Sequence, residues 1–138
     1  VKQFLSFTSG PAYQWAVAQG LNDDRGFFAQ NQTTLQTNRD RLAEGLAAAG
    51  LQPYAPRAGY FVLADISAVT DGAAAQFCAD LAEQVGVAAI PVSALTKGDD
   101  DSAELDQLVR FAFCKDRATL DEAISRLEQA QLGQRRLG

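Results

Sequence analysis

The stretch LVRFAFCKD, residues 108–116, places one arginine inside a strongly apolar run. Its residues alternate in character up to the aspartate, and a period of two predicts a β-strand. One face of that strand would carry Val109, Phe111 and Phe113. The other face would carry the smaller set, which is Leu108, Arg110, Ala112 and Cys114. Arg110 is therefore predicted to lie in the middle of an interior strand.

A guanidinium in that position needs an anion, because arginine stays charged at every accessible pH and is costly to bury alone. Two interpretations are open from the strand pattern. In the first, Arg110 forms a structural salt bridge with one of the 17 Asp and Glu residues. In the second, the anion arrives with a ligand, and Arg110 is a binding residue.

Composition sets the class of protein. The chain has 138 residues, 47% of them hydrophobic, which is typical of one compact soluble domain with a sizeable core. The formal net charge of -5 provides no basic face and argues against a nucleic-acid partner. No apolar run reaches the length of a membrane span, and the first residues lack the plan of a signal peptide. We therefore expect a cytoplasmic protein with no membrane partner.

Two residue types limit the chemistry. Histidine is absent, so Ser-His-Asp and Cys-His arrangements and most transition-metal sites are excluded within these residues, and no metal site is expected. The two cysteines, Cys78 and Cys114, are far apart in sequence, and we expect buried free thiols rather than a disulfide.

Methionine is absent even at position 1, which indicates a processed product, a truncation or a piece of a longer chain.

The first fifty residues are predicted to be helical. Ser9, Gly10 and Pro11 are typical of a helix start, and that helix would extend to about residue 21. Residues 27–50 predict a long amphipathic helix that stops at Gly50, with an apolar stripe of Phe28, Leu35, Leu42 and Leu46. We expect this part to expose apolar surface, carried by Phe4, Leu5, Phe7, Trp15, Phe27 and Phe28.

From residue 51 the predicted order is β, β, α, β, β, α, an α+β layer with helices on one face of a small sheet. Two extended stretches flank residues 56–59, and a helix capped by Thr70 or Asp71 runs to Gly86. Pro91 places residues 87–92 at an edge or a strand end, and 93–105 form an acidic loop. Asp116 begins the last helix, where Thr119 and Glu122 offer a capping box.

Other catalytic patterns are missing. No glycine-rich phosphate loop is present, and the acidic pairs at 23–24 and 99–101 lie in hydrophilic turns that would not raise a carboxyl pKa. The three lysines, Lys2, Lys97 and Lys115, have no apolar surroundings that would make one a nucleophilic amine. The residues alone therefore predict a soluble α+β domain with one arginine that needs an anion.

Four stretches together resemble a known family. AGYFVLADIS (58–67), EQVGVAAIPVSAL (83–95) and LVRFAFCKDRATLDEAISRL (108–127) look like the C-terminal small domain of class I/II, fold type I, pyridoxal-phosphate-dependent aminotransferases. The opening VKQFLSFTSGPAYQWAVA (1–18) is similar to the segment after the cofactor lysine, particularly in the kynurenine, methionine and N-succinyldiaminopimelate aminotransferase branch. The resemblance implies an α+β fragment of an α/β fold, with a small antiparallel-containing sheet preceded by long helices.

The resemblance also implies a function and site residues. Arg110 would form a forked pair with the α-carboxylate of an amino-acid or 2-oxo-acid substrate while an amino group is transferred between them. Phe7 would lie at the edge of the substrate pocket, reached from the neighbouring subunit of a homodimer, although an ordinary core aromatic is the other interpretation. Residues 1–25 would end the large domain, 26–132 would form the small domain, and 133–138 a tail.

Three parts that the family requires are not found. The Schiff-base lysine, the domain that holds the pyridoxal 5'-phosphate and the aspartate on its pyridinium nitrogen would all precede Val1. We therefore expect no catalytic residue, bound cofactor or activity in these 138 residues alone, with the rest of the aminotransferase chain as a partner. The alternatives are a stand-alone regulatory domain that binds amino acids without catalysis, and an interaction domain with Arg110 in a salt bridge.

Overall fold

The computed structural model describes residues 10–23, 25–96 and 105–132. Several predictions fall outside these residues, namely those on Ser9, Phe7, Lys2 and Lys97, on most of the acidic loop, and on the tail. The described chain forms two compact units, one ending at Thr33 and the other beginning at Thr34. The assignment of residues 1–25 to the end of a larger domain stays a prediction.

The first unit contains α1 (Pro11–Leu21) and the start of α2 (Phe27–Ala48). Gly10 is the N-cap of α1 and proline occupies its first turn, as predicted, because the fixed proline φ suits a helix start. Trp15, Phe27 and Phe28 are exposed, which confirms the expected apolar surface for these three residues. Phe4, Leu5 and Phe7 lie outside the described residues.

The second unit is built on a four-stranded antiparallel sheet in the order β1-β2-β4-β3. Its strands are β1 (Gln52–Tyr54), β2 (Phe61–Asp65), β3 (Ile90–Pro91) and β4 (Leu108–Ala112). The strand that carries Arg110 therefore lies between two neighbours, and its predicted interior position is confirmed. β3 has two residues and lies at the edge of the sheet, where a proline, which lacks a backbone N–H, is tolerated.

Helices cover one face of this sheet. They are the second half of α2, α3 (Ala74–Asp80) with the π-helical turn Leu81–Val85 that extends it, and α4 (Arg117–Ala130). Val109, Phe111 and Phe113 are all buried, which confirms their predicted position on one common face of β4 and shows that this face points inward. They join one core with inward residues of β2 and of the helices, among them Leu42, Leu46, Val62, Phe77, Leu81, Leu120 and Leu127.

One glycine lets two of these helices approach closely. Gly45 is buried in the last turn of α2, where an added Cβ would lie 2.7 Å from both Cγ atoms of Ile124 in α4. Glycine costs a helix about 1 kcal/mol relative to alanine. Its presence here is explained by the packing of α2 on α4, since any larger residue would collide with Ile124.

Two predicted helix caps are wrong. The N-cap of α3 is Ala73, without a side-chain hydrogen bond, and the Thr70 hydroxyl instead accepts from the Gly72 N–H at 3.0 Å. Short hydroxyl side chains form such local turns as readily as caps, which explains the error. In α4 the cap is Asp116, whose carboxylate accepts from the Thr119 N–H at 2.9 Å. The predicted box of Thr119 with Glu122 therefore lies one turn too late.

The cysteines are both free, as predicted, but only one is buried. Burial raises the pKa of the Cys78 thiol to about 11. Cys114 is exposed, so its predicted burial is wrong. It follows the end of β4, beyond the part of the sheet that the neighbouring strands flank. In the part of the chain that the structure describes, each helix is too short or too polar to cross a bilayer.

Candidate functional site

Arg110 lies near the centre of the sheet face that the helices among the described residues leave uncovered. It pairs with Leu63 of β2 on one side and with Ile90 of β3 on the other, and Leu63 in turn pairs with Tyr54 of β1. We call this side of the sheet the open face; it carries Tyr54, Phe61, Leu63, Arg110 and Ile90. Arg110 is half-buried, whereas Tyr54 and Ile90 at the two margins are exposed, so a ligand could reach the guanidinium from this side.

An aromatic ring lies against the Arg110 guanidinium. The central carbon of the guanidinium is 3.9 Å from the centroid of the Phe61 ring. Phe61 is directly opposite Ala112 and therefore diagonal to Arg110 across the β2–β4 pair, a separation that aromatic and long side chains can bridge. The methyl group of Ala112 leaves room for the ring, so the register of two strands produces the contact.

The Arg110 charge has no anionic partner among the described residues, since no carboxylate there lies within 4.0 Å of it. Its Nε is buried and finds no hydrogen-bond acceptor in the described part of the chain. The carboxylate of Asp65, on the same face, accepts instead from the Ser67 N–H at 2.8 Å. A half-buried guanidinium without a carboxylate partner is costly, so the arrangement favours an anion supplied from outside these residues.

The end of β4 is held from the helical side by Asn38, which sequence reasoning missed. Asn38 is buried in α2, and its amide donates to the Phe113 carbonyl at 3.2 Å and to the Lys115 carbonyl at 2.9 Å. Phe113 also donates its N–H to the Tyr60 carbonyl at 2.9 Å. A signal was present, because Asn38 lies on the apolar stripe between Leu35 and Leu42, where a polar side chain needs a buried partner.

A separate groove of about 390 Å³ lies on the helical side. Its floor is apolar and includes Leu42, Val87, Phe111, Leu120 and Leu127, and Lys115, Glu122 and Arg126 also line it. Arg126 is already engaged, since it donates to Glu122 at 2.8 Å and to the Gly86 carbonyl at 3.2 Å. Arg110 does not line this groove, so the candidate anion site and the groove are distinct.

A small antiparallel sheet with helices on one face, preceded by long helices, is the architecture that the family resemblance implies. The family model described as Aminotransferase class I and II matches residues 1–127. The chain belongs to this family.

Curated relatives indicate which aminotransferases this chain is similar to. The protein named probable N-succinyldiaminopimelate aminotransferase DapC, from Mycobacterium tuberculosis, is 40% identical over 131 residues, covering 91% of this chain and 33% of the relative. Human kynurenine–oxoglutarate transaminase 3 is 30% identical over 139 residues, covering 89% of this chain and 30% of the relative. The chain thus spans about a third of the length of the curated relatives it matches.

A solved structure confirms the fold. YbdL from Escherichia coli, for which a methionine aminotransferase function was identified, superimposes with a TM-score of 0.80 at 32% identity. The match covers 94% of this chain and 33% of that one. The predicted family, its branch and its fold are therefore confirmed.

Class I/II aminotransferases generally depend on pyridoxal phosphate. The described residues do not by themselves form a binding site for this cofactor. Among the residues that the structure describes, Lys115 is the one lysine. It is exposed and borders the groove on the helical side rather than the open face. Cofactor attachment needs a lysine amine in a setting that favours its neutral form. The described residues thus include an arginine with no carboxylate partner among them, and no lysine placed to bind the cofactor.

Proposed function

We propose that this chain is the C-terminal part of a pyridoxal-phosphate-dependent aminotransferase, which transfers an amino group between an amino acid and a 2-oxo acid. Within it, Arg110 binds the α-carboxylate of both substrates. The observation that carries the proposal is the half-buried guanidinium at the centre of the open face, which has no carboxylate partner among the described residues. Family membership supports the reaction class.

The chemistry of a guanidinium suits this role. Its planar fork can donate two parallel hydrogen bonds to one carboxylate, which fixes both the position and the plane of the bound acid. An amino acid and its 2-oxo acid present the same carboxylate, so one arginine serves both halves of the reaction. Holding that carboxylate orients the neighbouring α-carbon for reaction, and the cofactor supplies the electron sink when bound.

The open face would be covered by the rest of the protein, and water would be excluded there when substrate binds. Exclusion of water strengthens the pair between Arg110 and the carboxylate, because the effective dielectric falls. A charge-assisted, desolvated pair of this kind is worth about 2 to 4 kcal/mol in the transition state. The sheet holds the arginine on its interior strand, where Arg110 is paired with β2 on one side and with β3 on the other.

The remaining assignments are proposals that rest on family membership. Phe7 would approach the substrate pocket from the neighbouring subunit of a homodimer. Residues 1–25 would end the large domain, 26–132 would form the small domain, and 133–138 a tail. Two free thiols support a reducing compartment such as the cytoplasm.

The reaction is tested on the polypeptide that the gene encodes. Methionine, kynurenine and N-succinyldiaminopimelate are supplied in turn as amino donor with 2-oxoglutarate and pyridoxal phosphate, and the new amino acid is measured by chromatography. We expect transfer from at least one donor. Binding of an amino acid without any transfer would instead favour a regulatory domain, and no interaction with amino acids or 2-oxo acids would favour a structural role.

The 138-residue chain alone is proposed to be inactive, because the structure describes no lysine on the open face. The chain is mixed with pyridoxal phosphate and reduced with borohydride, and any adduct is located by mass spectrometry. We expect scattered labelling at most. A stoichiometric adduct on one lysine, with transfer activity, would overturn this part of the proposal.

A further inference from the structure

The contact between Phe61 and Arg110 has a consequence for how the carboxylate is held. The guanidinium carbon lies 3.9 Å from the ring centroid, which places the cation against the face of the ring rather than its edge. The electron-rich face of an aromatic ring attracts a cation by about 0.5 to 2 kcal/mol, and more when water is excluded. An arginine side chain has many rotamers, so a flat surface against its guanidinium removes most of the alternatives.

The nitrogens of Arg110 are not equally available. Nε is buried and has no acceptor in the described part of the chain, so a ligand cannot reach it without displacing its surroundings. The terminal nitrogens, Nη1 and Nη2, point away from the backbone and are the ones that a carboxylate can approach end-on. The ring therefore lies against one face of a guanidinium whose Nε is buried.

We propose that Phe61 is a positioning residue that fixes the plane and direction of the Arg110 guanidinium, so that the substrate carboxylate is held end-on by Nη1 and Nη2. The inference rests on the proposed function, since it assumes that Arg110 binds a carboxylate. It goes further in assigning a role to Phe61, in excluding Nε from the pair, and in explaining why a small residue, Ala112, lies opposite the ring.

The role is tested by removing the ring and keeping the apolar bulk, in the polypeptide that the gene encodes. Phe61→Leu and Phe61→Met both do so, and either one suffices if the other does not fold. Each should lower kcat/KM about tenfold for the amino donor and for the 2-oxo acid alike, from the usual worth of a cation–aromatic contact. Phe61→Tyr keeps the ring face and should stay within about twofold of the parent.

A matched control removes another ring from the same face. Tyr54 lies on β1 and is separated from Arg110 by β2, so Tyr54→Leu should lower kcat/KM clearly less than Phe61→Leu does. If Tyr54→Leu lowers kcat/KM as much as Phe61→Leu does, the effect belongs to the open face in general, and a specific role for Phe61 is rejected.

A double-mutant cycle separates positioning from direct contact with substrate. In an Arg110→Ala background, Phe61→Leu should change kcat/KM by less than about twofold, because the group that Phe61 positions is gone. An undiminished tenfold loss in that background would mean that Phe61 contacts substrate independently, and it would overturn the inference. If Arg110→Ala itself leaves kcat/KM unchanged, the proposed function fails instead, which the single variant shows before the cycle is closed.

Discussion

Replacing Asn38 by alanine should destabilise the second unit more than any surface change on the same helix. Asn38 is buried, and its amide donates to the Phe113 carbonyl at 3.2 Å and to the Lys115 carbonyl at 2.9 Å. These two bonds tie α2 to the residues that follow β4. In Asn38→Ala both donors are lost, and nothing in the new side chain can replace them.

The magnitude follows from the surroundings of the two carbonyls. Phe113 is buried, so its carbonyl would lose a hydrogen bond that water cannot easily replace, at a cost of about 1 to 3 kcal/mol. Lys115 is exposed, so water can replace the bond there and the loss is about 0.5 kcal/mol. A small cavity adds to the total. We expect the free energy of unfolding to fall by about 2 to 3 kcal/mol.

The assay is urea unfolding of the 138-residue chain followed by far-ultraviolet circular dichroism. Fluorescence is unsuitable, because Trp15, the single tryptophan of the sequence, lies in α1 of the first unit. Asn31→Ala provides the control, since Asn31 is an exposed asparagine of α2 and the same substitution brings the same gain in helix propensity.

The comparison of the two variants decides the matter. Asn38→Ala should unfold at a clearly lower urea concentration than Asn31→Ala, with an unchanged slope m. A difference in unfolding free energy below about 1 kcal/mol would refute the argument, because the two donated bonds would then be worth no more than solvent-exposed ones.

Three further predictions concern packing, thiol reactivity and pH. Gly45→Ala should lower the unfolding free energy by about 1 to 2 kcal/mol, since the new Cβ would lie 2.7 Å from Ile124; an unchanged urea midpoint would contradict this. Under native conditions iodoacetamide should modify Cys114 and spare Cys78, whose thiol is buried with a pKa of about 11; mass spectrometry checks which is labelled. Asp116→Ala should destabilise α4 at neutral pH but not in strong acid. The bond from the backbone N–H of the first turn lowers the pKa of Asp116 below 3.8, so its contribution is present above that value and is lost as pH falls through the lower folded-state pKa; equal urea midpoints at neutral pH would contradict it.

Much of the fold could be predicted because it depends on patterns local in sequence. The alternation in residues 108–113 was sufficient to place Arg110 on the face of an interior strand opposite to Val109, Phe111 and Phe113, because successive side chains of a strand point to opposite faces. Pro91 correctly marked a sheet edge, and Gly86 correctly marked a helix end, where its φ of 73° is one that other residues rarely adopt.

What could not be predicted depends on contacts between distant residues. Phe61 and Arg110 meet only because β2 and β4 pair in one particular register, and neither sequence segment specifies it alone. From the sequence, Gly45 is expected only to destabilise its helix, and its packing role is evident only when α4 is seen to contact it. Thr70 could not be assigned for a local reason. A hydroxyl before a helix can either cap that helix or accept a hydrogen bond within a turn, and the sequence does not distinguish the two.

The central claim is that Arg110 binds the carboxylate of the substrate, and Arg110→Lys in the polypeptide that the gene encodes tests it most directly. Lysine keeps the charge but loses the planar fork, so it can make a point contact without fixing the carboxylate plane. Melting temperature and kcat/KM for both the amino donor and the 2-oxo acid are measured on the same preparation. We predict that kcat/KM falls about 30- to 1000-fold for both substrates while the melting temperature and cofactor content stay close to those of the parent. A lowered melting temperature with normal kcat/KM would contradict the account and would assign Arg110 to a structural salt bridge with a carboxylate outside the described residues.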